Sequence, residues 1–205
     1  MIGKIIGIKR LNIDTDGEGV TTLVGLYTCP LNCEYCINNP IDHYYKLTIE
    51  QLYAQVVVDD IYFEYSKGGI CFGGHEPLLQ QDFIIEFIKY VRSKGHNWHF
   101  TLETSLNVPH IKDELLCNIN HIIADVKTMN DDKYIAYSEI SNKHVKNNLY
   151  KLKNWPGKIT IVIPTIPKYT TSKDVEDSKQ EILNIGYDEK QIDSSFLYIT
   201  KLETS

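Results

Sequence analysis

The chain has 205 residues, 42% of them hydrophobic and 11% aromatic, which suits one well-buried globular domain over residues 1–205. Its net charge of −6 argues against a general nucleic-acid-binding surface, because such binding depends on Lys and Arg neutralising phosphates. The N-terminal MIGKIIGIKR lacks the features of a secretory signal, and no apolar stretch approaches the ~20 residues of a bilayer span, so we expect a cytoplasmic protein without membrane contact.

Six short segments, rich in β-branched, aromatic and other apolar residues, have the composition of buried strands. In chain order they are Thr21–Tyr27, Gly68–Gly74, Trp98–Thr104, His121–Lys127, Lys158–Pro164 and Ser194–Thr200. Helical patterns occupy the intervals, over Thr48–Ser66, 81–95, Val145–Leu152 and Val175–Ile185. Thr48 and Gln51 form a capping-box signature at the first of these helices, and Gly186 closes the last.

This alternation of strands and helices predicts right-handed βαβ crossovers and a parallel sheet. Six such units are too few for a complete eight-fold barrel. The expected fold is therefore α/β, an open partial (βα)6 barrel with its reactive groups at the C-terminal ends of the strands. No repeat, low-complexity tract or linker marks a second domain.

A loop directly after the first predicted strand carries Cys29, Cys33 and Cys36 within YTCPLNCEYCINNP. Thiolates at these spacings can converge on one metal centre, and three ligands on a cluster of four irons leave one iron open as a substrate site. A structural zinc site completed by His43 and a chance group of buried thiols are the alternatives.

The remaining two cysteines, Cys71 and Cys117, stand alone in apolar contexts, where a cysteine usually behaves as a small buried hydrophobe. We therefore expect no auxiliary cluster. The odd number of cysteines and the grouping of three of them favour metal ligation in a reducing compartment over a disulfide framework.

The CxxxCxxC spacing, with the aromatic Tyr35 before the last cysteine, resembles the radical S-adenosylmethionine (SAM) superfamily. In that superfamily the amino and carboxylate groups of SAM chelate the unique iron of a [4Fe–4S] cluster. The resemblance implies that Cys29, Cys33 and Cys36 hold such a cluster.

Further segments resemble one branch of the superfamily, the activating enzymes of glycyl-radical enzymes, of the pyruvate formate-lyase activating enzyme type. The matching segments are Asp16–Pro40, Phe72–Gln80, Ala124–Leu152 and Ile161–Tyr169. Within them FGGHEPLLQ is similar to the GGEPLLQ segment of that branch, with His75 as an insertion. His75 is read as a surface or supporting imidazole rather than a catalyst.

The resemblance implies a SAM-binding cradle made of strand ends. Gly73 and Gly74 lack side chains and so let backbone groups approach SAM, although an ordinary buried turn is the alternative. Two carboxylates are implied to hold a monovalent cation beside the SAM carboxylate, with Lys127 as a further balancing charge or as half of an ordinary ion pair. The implied cofactor-binding residues are Tyr35, Gly73, Gly74, Glu76, Glu103, Thr104, Asp125 and Lys127.

The implied reaction is reductive cleavage of SAM to methionine and a 5′-deoxyadenosyl radical, which abstracts a hydrogen atom from the substrate. This reaction requires a low-potential cluster and therefore a flavodoxin- or ferredoxin-type electron donor. The expected function is activation of a glycyl-radical partner enzyme, and no residue is assigned a catalytic role beyond cofactor binding.

Two departures from the branch leave the substrate open. Ile37, Asn38 and Asn39 stand before Pro40 where that branch has an aromatic or His-Asn-Pro continuation, and Val162 replaces a basic residue. The alternative function is a radical SAM enzyme that acts directly on a peptide or a small molecule. A noncatalytic iron–sulfur binding module is a third interpretation.

Overall fold

A computed structural model describes residues 1–13, 15–38 and 42–195 of the chain. The strands are β1 (Ile2–Ile13), β2 (Val20–Leu26), β3 (Tyr45–Thr48), β4 (Gly69–Gly74), β5 (His99–Thr104), β6 (His121–Asp125), β7 (Lys158–Val162) and β8 (Ile192–Asp193). The helices are α1 (Ile49–Val56), α2 (Asp60–Ser66), α3 (Gln81–Ser93), α4 (Asp113–Leu116), α5 (Asp131–Ser138), α6 (Lys143–Leu152) and α7 (Ser172–Ile185). Short 3-10 helices add Val57–Asp59, Pro77–Gln80 and Glu189–Gln191.

The chain forms two compact units, each assembled from separate segments. The first unit comprises Met1–Cys29, Pro40–Thr104 and Ile111–Ile123. The second unit comprises Pro30–Asn39, Ser105–His110 and Ala124–Ser205. That residues 1–205 form a single domain stays a prediction.

The first unit is built on strands in the order β3-β1-β2-β4-β5, followed by the first residues of β6. Strand β4 pairs in parallel with both β2 and β5, whereas β1 runs antiparallel to β2 and β3. The register places Leu26 opposite Gly74. Strands β2 and β4 therefore end at the same level, and the segments that follow them leave the sheet side by side.

Apolar side chains of β4, β5 and α3 form the core of the first unit. The ring of Phe72 lies 5.8 Å from that of Phe87 and 6.2 Å from that of Phe100, and all three residues are buried. Helix α3 buries Phe83, Ile84, Phe87, Ile88 and Val91, the residues whose spacing predicts the helix. Burial of this helix face fixes α3 against the sheet.

In the second unit the end of β6 is followed in the sheet by β7 and then β8. The Val126 amide donates to the Val162 carbonyl at 2.9 Å, and β7 pairs with β8 in parallel. Helix α7 begins with a capping box between Thr171 and Asp174 and ends at Gly186, whose φ of +117° suits glycine.

The predicted strands and helices agree with the structure over most of the described chain. Five predicted strands correspond to β2, β4, β5, β6 and β7, although Lys127 lies two residues beyond the end of β6. In the sixth, Ser194–Thr200, residues 196–200 lie outside the described residues, and β8 ends just before it. Strands β1 and β3 were missed for different reasons. β3 has four residues and none of them is buried, whereas β1 is rich in Ile but buries only Gly3, Ile5 and Asn12, so it does not read as a buried strand.

One expectation about the isolated cysteines is wrong. Cys71 is buried in β4 as predicted, but Cys117 is exposed, because the short helix α4 ends just before it and leaves its side chain at the surface. Among the described residues no helix combines the length and the apolar character that crossing a bilayer would require.

Candidate functional site

The three clustered cysteines begin directly after β2. Cys29 lies in the first unit, whereas Cys33 and Cys36 lie in the second. All three carry thiols that are not oxidised to disulfides, with Cys33 buried and the other two half-buried. The Cys36 amide donates to the Cys33 carbonyl at 3.2 Å, so a tight turn brings these two residues together.

The Cys33 thiol lies in an apolar setting within the second unit. It packs with Tyr137 and Ile166, and burial raises its pKa to about 11, while the positive charge of Lys127 acts to lower that pKa. Such a thiol stays protonated at neutral pH unless a metal binds it, because coordination removes the proton. Cysteine thiols are the donor type that an iron–sulfur cluster takes, and this loop carries three of them.

Hydrogen bonds anchor the cysteine loop to distant parts of the second unit. The Asn32 side chain donates to Glu139 Oε1 at 2.8 Å, just after α5. The Glu34 carboxylate accepts bonds from Lys168 Nζ at 3.1 Å and from the Tyr169 hydroxyl. Those bonds, first that from Tyr169, lower the pKa of Glu34. The loop has no regular structure of its own, so these bonds fix its path.

Sequence reasoning missed Glu34 and its two partners as anchors of the loop. Lys168 and Tyr169 do lie in the IPKY segment that carried part of the family resemblance. The partnership was not visible in the sequence, because 134 residues separate Glu34 from Lys168.

Tyr35, a predicted cofactor-binding residue, belongs to an aromatic cluster of the second unit. Its ring centroid lies 6.2 Å from that of Tyr137 and 6.3 Å from that of Tyr169, and Lys168 Nζ lies 5.8 Å from the same ring. These contacts place Tyr35 beside the buried Cys33. The role of Tyr35 toward SAM stays a prediction.

Two predicted residues of the first unit, Gly73 and Glu103, are in direct contact. A Cβ added to Gly73 would lie 2.8 Å from Glu103 Oε2 and 3.0 Å from Leu23 Cδ1. The exposed Glu103 side chain thus lies over Gly73, a strand position that has no side chain. Gly74 follows with a φ of +90°, which favours glycine.

Glu76 and Thr104 also come together in the first unit. Glu76 is fully buried, and its Oε1 accepts bonds from the Thr104 hydroxyl at 2.6 Å and from the Leu78 amide at 3.1 Å. The second bond caps the 3-10 helix Pro77–Gln80. The carboxylate therefore links the turn after β4 to the end of β5, while its predicted contact with SAM stays a prediction.

Asp125 and Lys127 form an ion pair in the second unit. Asp125 Oδ2 accepts a hydrogen bond from Lys127 Nζ, and the Lys127 side chain is 9% exposed. A buried ammonium requires such a partner, because an unpaired charge in the protein interior is costly. The ordinary ion pair considered from the sequence is therefore present, and a role of these residues toward a cation stays a prediction.

The part of the chain that the structure describes contains no assembled metal site. Within residues 1–13, 15–38 and 42–195, no three His, Cys, Asp or Glu side chains form a group that could hold one metal ion, so neither the zinc alternative nor cluster ligation by Cys29, Cys33 and Cys36 is shown, and the cluster assignment stays a prediction. His43, the proposed fourth ligand, is 75% exposed and lies 3.3 Å from the side chain of Asp42.

Comparison with known proteins identifies relatives for most of the chain. Residues 23–182 match the family model described as the Radical SAM superfamily. The chain is 28% identical over 177 residues to the pyruvate formate-lyase-activating enzyme of Clostridium pasteurianum, covering 85% of this chain and 73% of that one. It is 33% identical over 141 residues to the (2S)-3-sulfopropanediol dehydratase activating enzyme of Klebsiella oxytoca, covering 68% of this chain and 44% of that one.

Solved structures share the fold at low sequence identity. SuiB of Streptococcus suis, bound to S-adenosylmethionine, aligns with a TM-score of 0.58 and 10% identity over 86% of this chain and 38% of its own. The enzyme anSMEcpe with bound AdoMet aligns with a TM-score of 0.60 and 12% identity over 83% of this chain and 48% of its own. Together with the family match, these alignments confirm the predicted α/β class and the open partial (βα)6 barrel.

Proposed function

The chain belongs to the radical SAM superfamily, and from this premise we propose that it activates a glycyl-radical partner enzyme by removing a hydrogen atom from a glycine of that partner. The observation that carries the proposal is the 28% identity to a pyruvate formate-lyase-activating enzyme over 85% of this chain. The Klebsiella relative is also an activating enzyme by name, but this chain spans 44% of its length.

Membership of the family implies a [4Fe–4S] cluster and SAM. When bound, the reduced cluster supplies one electron to the SAM sulfonium, which yields methionine and a 5′-deoxyadenosyl radical for hydrogen-atom abstraction. In our proposal Cys29, Cys33 and Cys36 hold the cluster, and a flavodoxin- or ferredoxin-type protein supplies the electron. Five cysteines without a disulfide among them and an oxygen-sensitive cofactor suit a reducing compartment such as the cytoplasm.

SAM binding is assigned to residues at the ends of strands. In the first unit Gly73 and Gly74 leave backbone groups accessible, and the Glu103 carboxylate lies beside them. In the second unit Asp125 brings a further carboxylate, already paired with Lys127. We propose that Glu103 and Asp125 bind a monovalent cation beside the SAM carboxylate, because a cation would neutralise two carboxylates that serve one ligand.

The remaining assigned residues support this cradle. Glu76 and Thr104 are hydrogen-bonded to each other, so they set the path of the turn after β4 relative to the end of β5. Tyr35 is assigned to the SAM side of the cysteine loop, where its ring is held by Tyr137 and Tyr169.

A second function, action on a peptide or a small molecule, is favoured by the departures from the activating-enzyme pattern. Ile37 is 88% exposed and stands directly after Cys36, where that branch has an aromatic or histidine residue. Val162 stands at the end of β7 in place of a basic residue. The Val162 departure puts in doubt a direct contact to SAM or to a glycyl loop. The two functions differ in the substrate and share the chemistry of SAM.

Deuterium transfer distinguishes the two functions. The reconstituted and reduced protein is incubated with unlabelled SAM and with a candidate glycyl-radical enzyme deuterated at its glycine Cα. Activation predicts deuterium in the 5′-deoxyadenosine and a persistent glycyl radical in the electron paramagnetic resonance (EPR) spectrum. Label that comes only from a deuterated peptide side chain or metabolite, without a stored radical, would contradict activation and support the second function. If the protein fails to cleave SAM under every reducing condition, both enzymatic functions are excluded, and the noncatalytic iron–sulfur binding module is the interpretation that is left.

A further inference from the structure

The residue before the first cysteine has an unusual backbone conformation. Thr28 has a φ of +94°, although it is neither glycine nor one of the residues that adopt positive φ readily. A β-branched residue is strained in this region, and such strain persists only where the surroundings hold the backbone in place. The φ angle of Thr28 sets the direction in which the chain enters Cys29.

The turn after β4 holds both backbone polar groups of Thr28. The Thr28 amide donates to His75 Nδ1 at 3.2 Å, and the Glu76 amide donates to the Thr28 carbonyl at 2.9 Å. The His75 amide in turn donates to the Leu26 carbonyl at 3.0 Å, just before this segment. The turn and the end of β2 are therefore joined by three hydrogen bonds.

His75 supplies the one bond of these three that depends on a side chain. Backbone groups make the other two, so most residues at positions 75 and 76 could supply them. The bond to Nδ1 requires an acceptor at that distance from the backbone, and an imidazole provides it when its proton is on Nε2. The His75 ring is further held 5.5 Å from the ring of Tyr27, which lies 4.6 Å from that of Tyr44.

We propose that His75 is a positioning residue for Cys29, acting through the Thr28 peptide. By accepting the hydrogen bond from the Thr28 amide, His75 keeps Thr28 at positive φ and so orients Cys29 as a cluster ligand. The inference rests on the proposed function, since it gives Cys29 that ligand role. It also assigns a purpose to the extra histidine of FGGHEPLLQ.

The test compares variants that separate the imidazole from the backbone strain. H75A removes the acceptor, whereas H75N places an amide oxygen near the former position of Nδ1. T28G/H75A combines the loss of the acceptor with a glycine, which adopts positive φ without strain. H43A is the matched control, because His43 is an exposed histidine of the same unit.

Each protein is reconstituted with iron and sulfide, and the loss of iron to a chelator is followed together with the EPR spectrum of the reduced cluster. H75A is expected to lose iron about tenfold faster than wild type and to have an altered EPR spectrum. The reason is that H75A loses one hydrogen bond, which also holds Thr28 in its strained conformation, and the free energy of such a bond corresponds to about a tenfold change in rate. H75N, T28G/H75A and H43A are expected to stay within about twofold of wild type. Hydrogen exchange of the Thr28 amide in the cluster-free protein is expected to rise in H75A and not in H75N.

Wild-type rates of iron loss in H75A would overturn the positioning role. Equal instability of H75A and T28G/H75A would also overturn it, because the defect would then not lie in the φ angle of Thr28. If wild type takes up no cluster, the proposed function fails and Cys29 loses its ligand role. The amide exchange would still show whether His75 holds the Thr28 peptide, so the two failures can be told apart.

Discussion

Gly73 lies so close to the Glu103 carboxylate that a side chain at position 73 would displace it. A Cβ there would lie 2.8 Å from Glu103 Oε2. We predict that Gly73→Val weakens SAM binding at least about tenfold, because valine would fill the space that SAM is proposed to approach. Isothermal titration of the reconstituted protein with SAM measures the effect, with cluster content expected to be unchanged.

Gly7→Val is the matched control for this prediction. Gly7 is also a strand glycine of the first unit, but a Cβ added there meets nothing within 4 Å. Unchanged SAM affinity in both variants would mean that Gly73 serves the packing of the turn and not the ligand.

The charge of Glu103 is assigned to the ligand and not to iron. We predict that Glu103→Gln lowers the rate of SAM cleavage about tenfold or more and leaves iron content unchanged, because a bond to a charged group is worth more than one to a neutral amide. The assay is 5′-deoxyadenosine formation per cluster. Glu86→Gln is the control, since Glu86 is a half-exposed residue of α3 that pairs with Lys89. Equal loss of iron and turnover would contradict the assignment.

An ion pair joins two helices of the second unit: Asp174 of α7 accepts a hydrogen bond from Lys133 of α5. Hydrogen bonds from the Lys133 ammonium and then from Thr171 lower the pKa of Asp174 from 3.8 to about 2. A lowered pKa stabilises the folded state above the unfolded value, and this contribution is lost as the pH falls from about 4 to about 2. The α7 capping box therefore weakens in acid.

We predict that Asp174→Asn lowers the free energy of unfolding by about 1 kcal/mol at pH 6, and that this difference shrinks as the pH falls through the folded-state pKa of about 2. Urea unfolding of the cluster-free protein at several pH values measures this difference. Asp177→Asn, on the same helix, is the control, and a difference between wild type and Asp174→Asn that stays constant with pH would refute the coupling.

For the whole molecule, one cluster per chain is expected. We predict about four iron and four sulfide ions per reconstituted chain, with loss of the intact cluster when Cys29, Cys33 or Cys36 is replaced by alanine. Cys117→Ala is the control, because this exposed cysteine lies outside the loop. Iron and sulfide content with the visible absorbance decide the outcome. An intact cluster in Cys33→Ala, or stoichiometric zinc in a colourless protein, would refute the assignment.

The length of the chain relative to its relatives bears on the partner. The chain spans 73% of the Clostridium activating enzyme and 44% of the Klebsiella one. For this reason the deuterium-transfer experiment, and not sequence similarity to these relatives, identifies the substrate.

The sequence by itself determined the features that depend on neighbouring residues. Alternating strand and helix patterns, the CxxxCxxC spacing and the glycines that end β4 are local, because short-range periodicity and turn chemistry produce them. Tertiary structure decided the rest: the placement of strand β1, the hydrogen bond from the Tyr169 hydroxyl to Glu34 and the hydrogen bond from the Thr28 amide to His75. These two hydrogen bonds join residues 135 and 47 positions apart, and only the packing of the folded chain sets which distant groups meet.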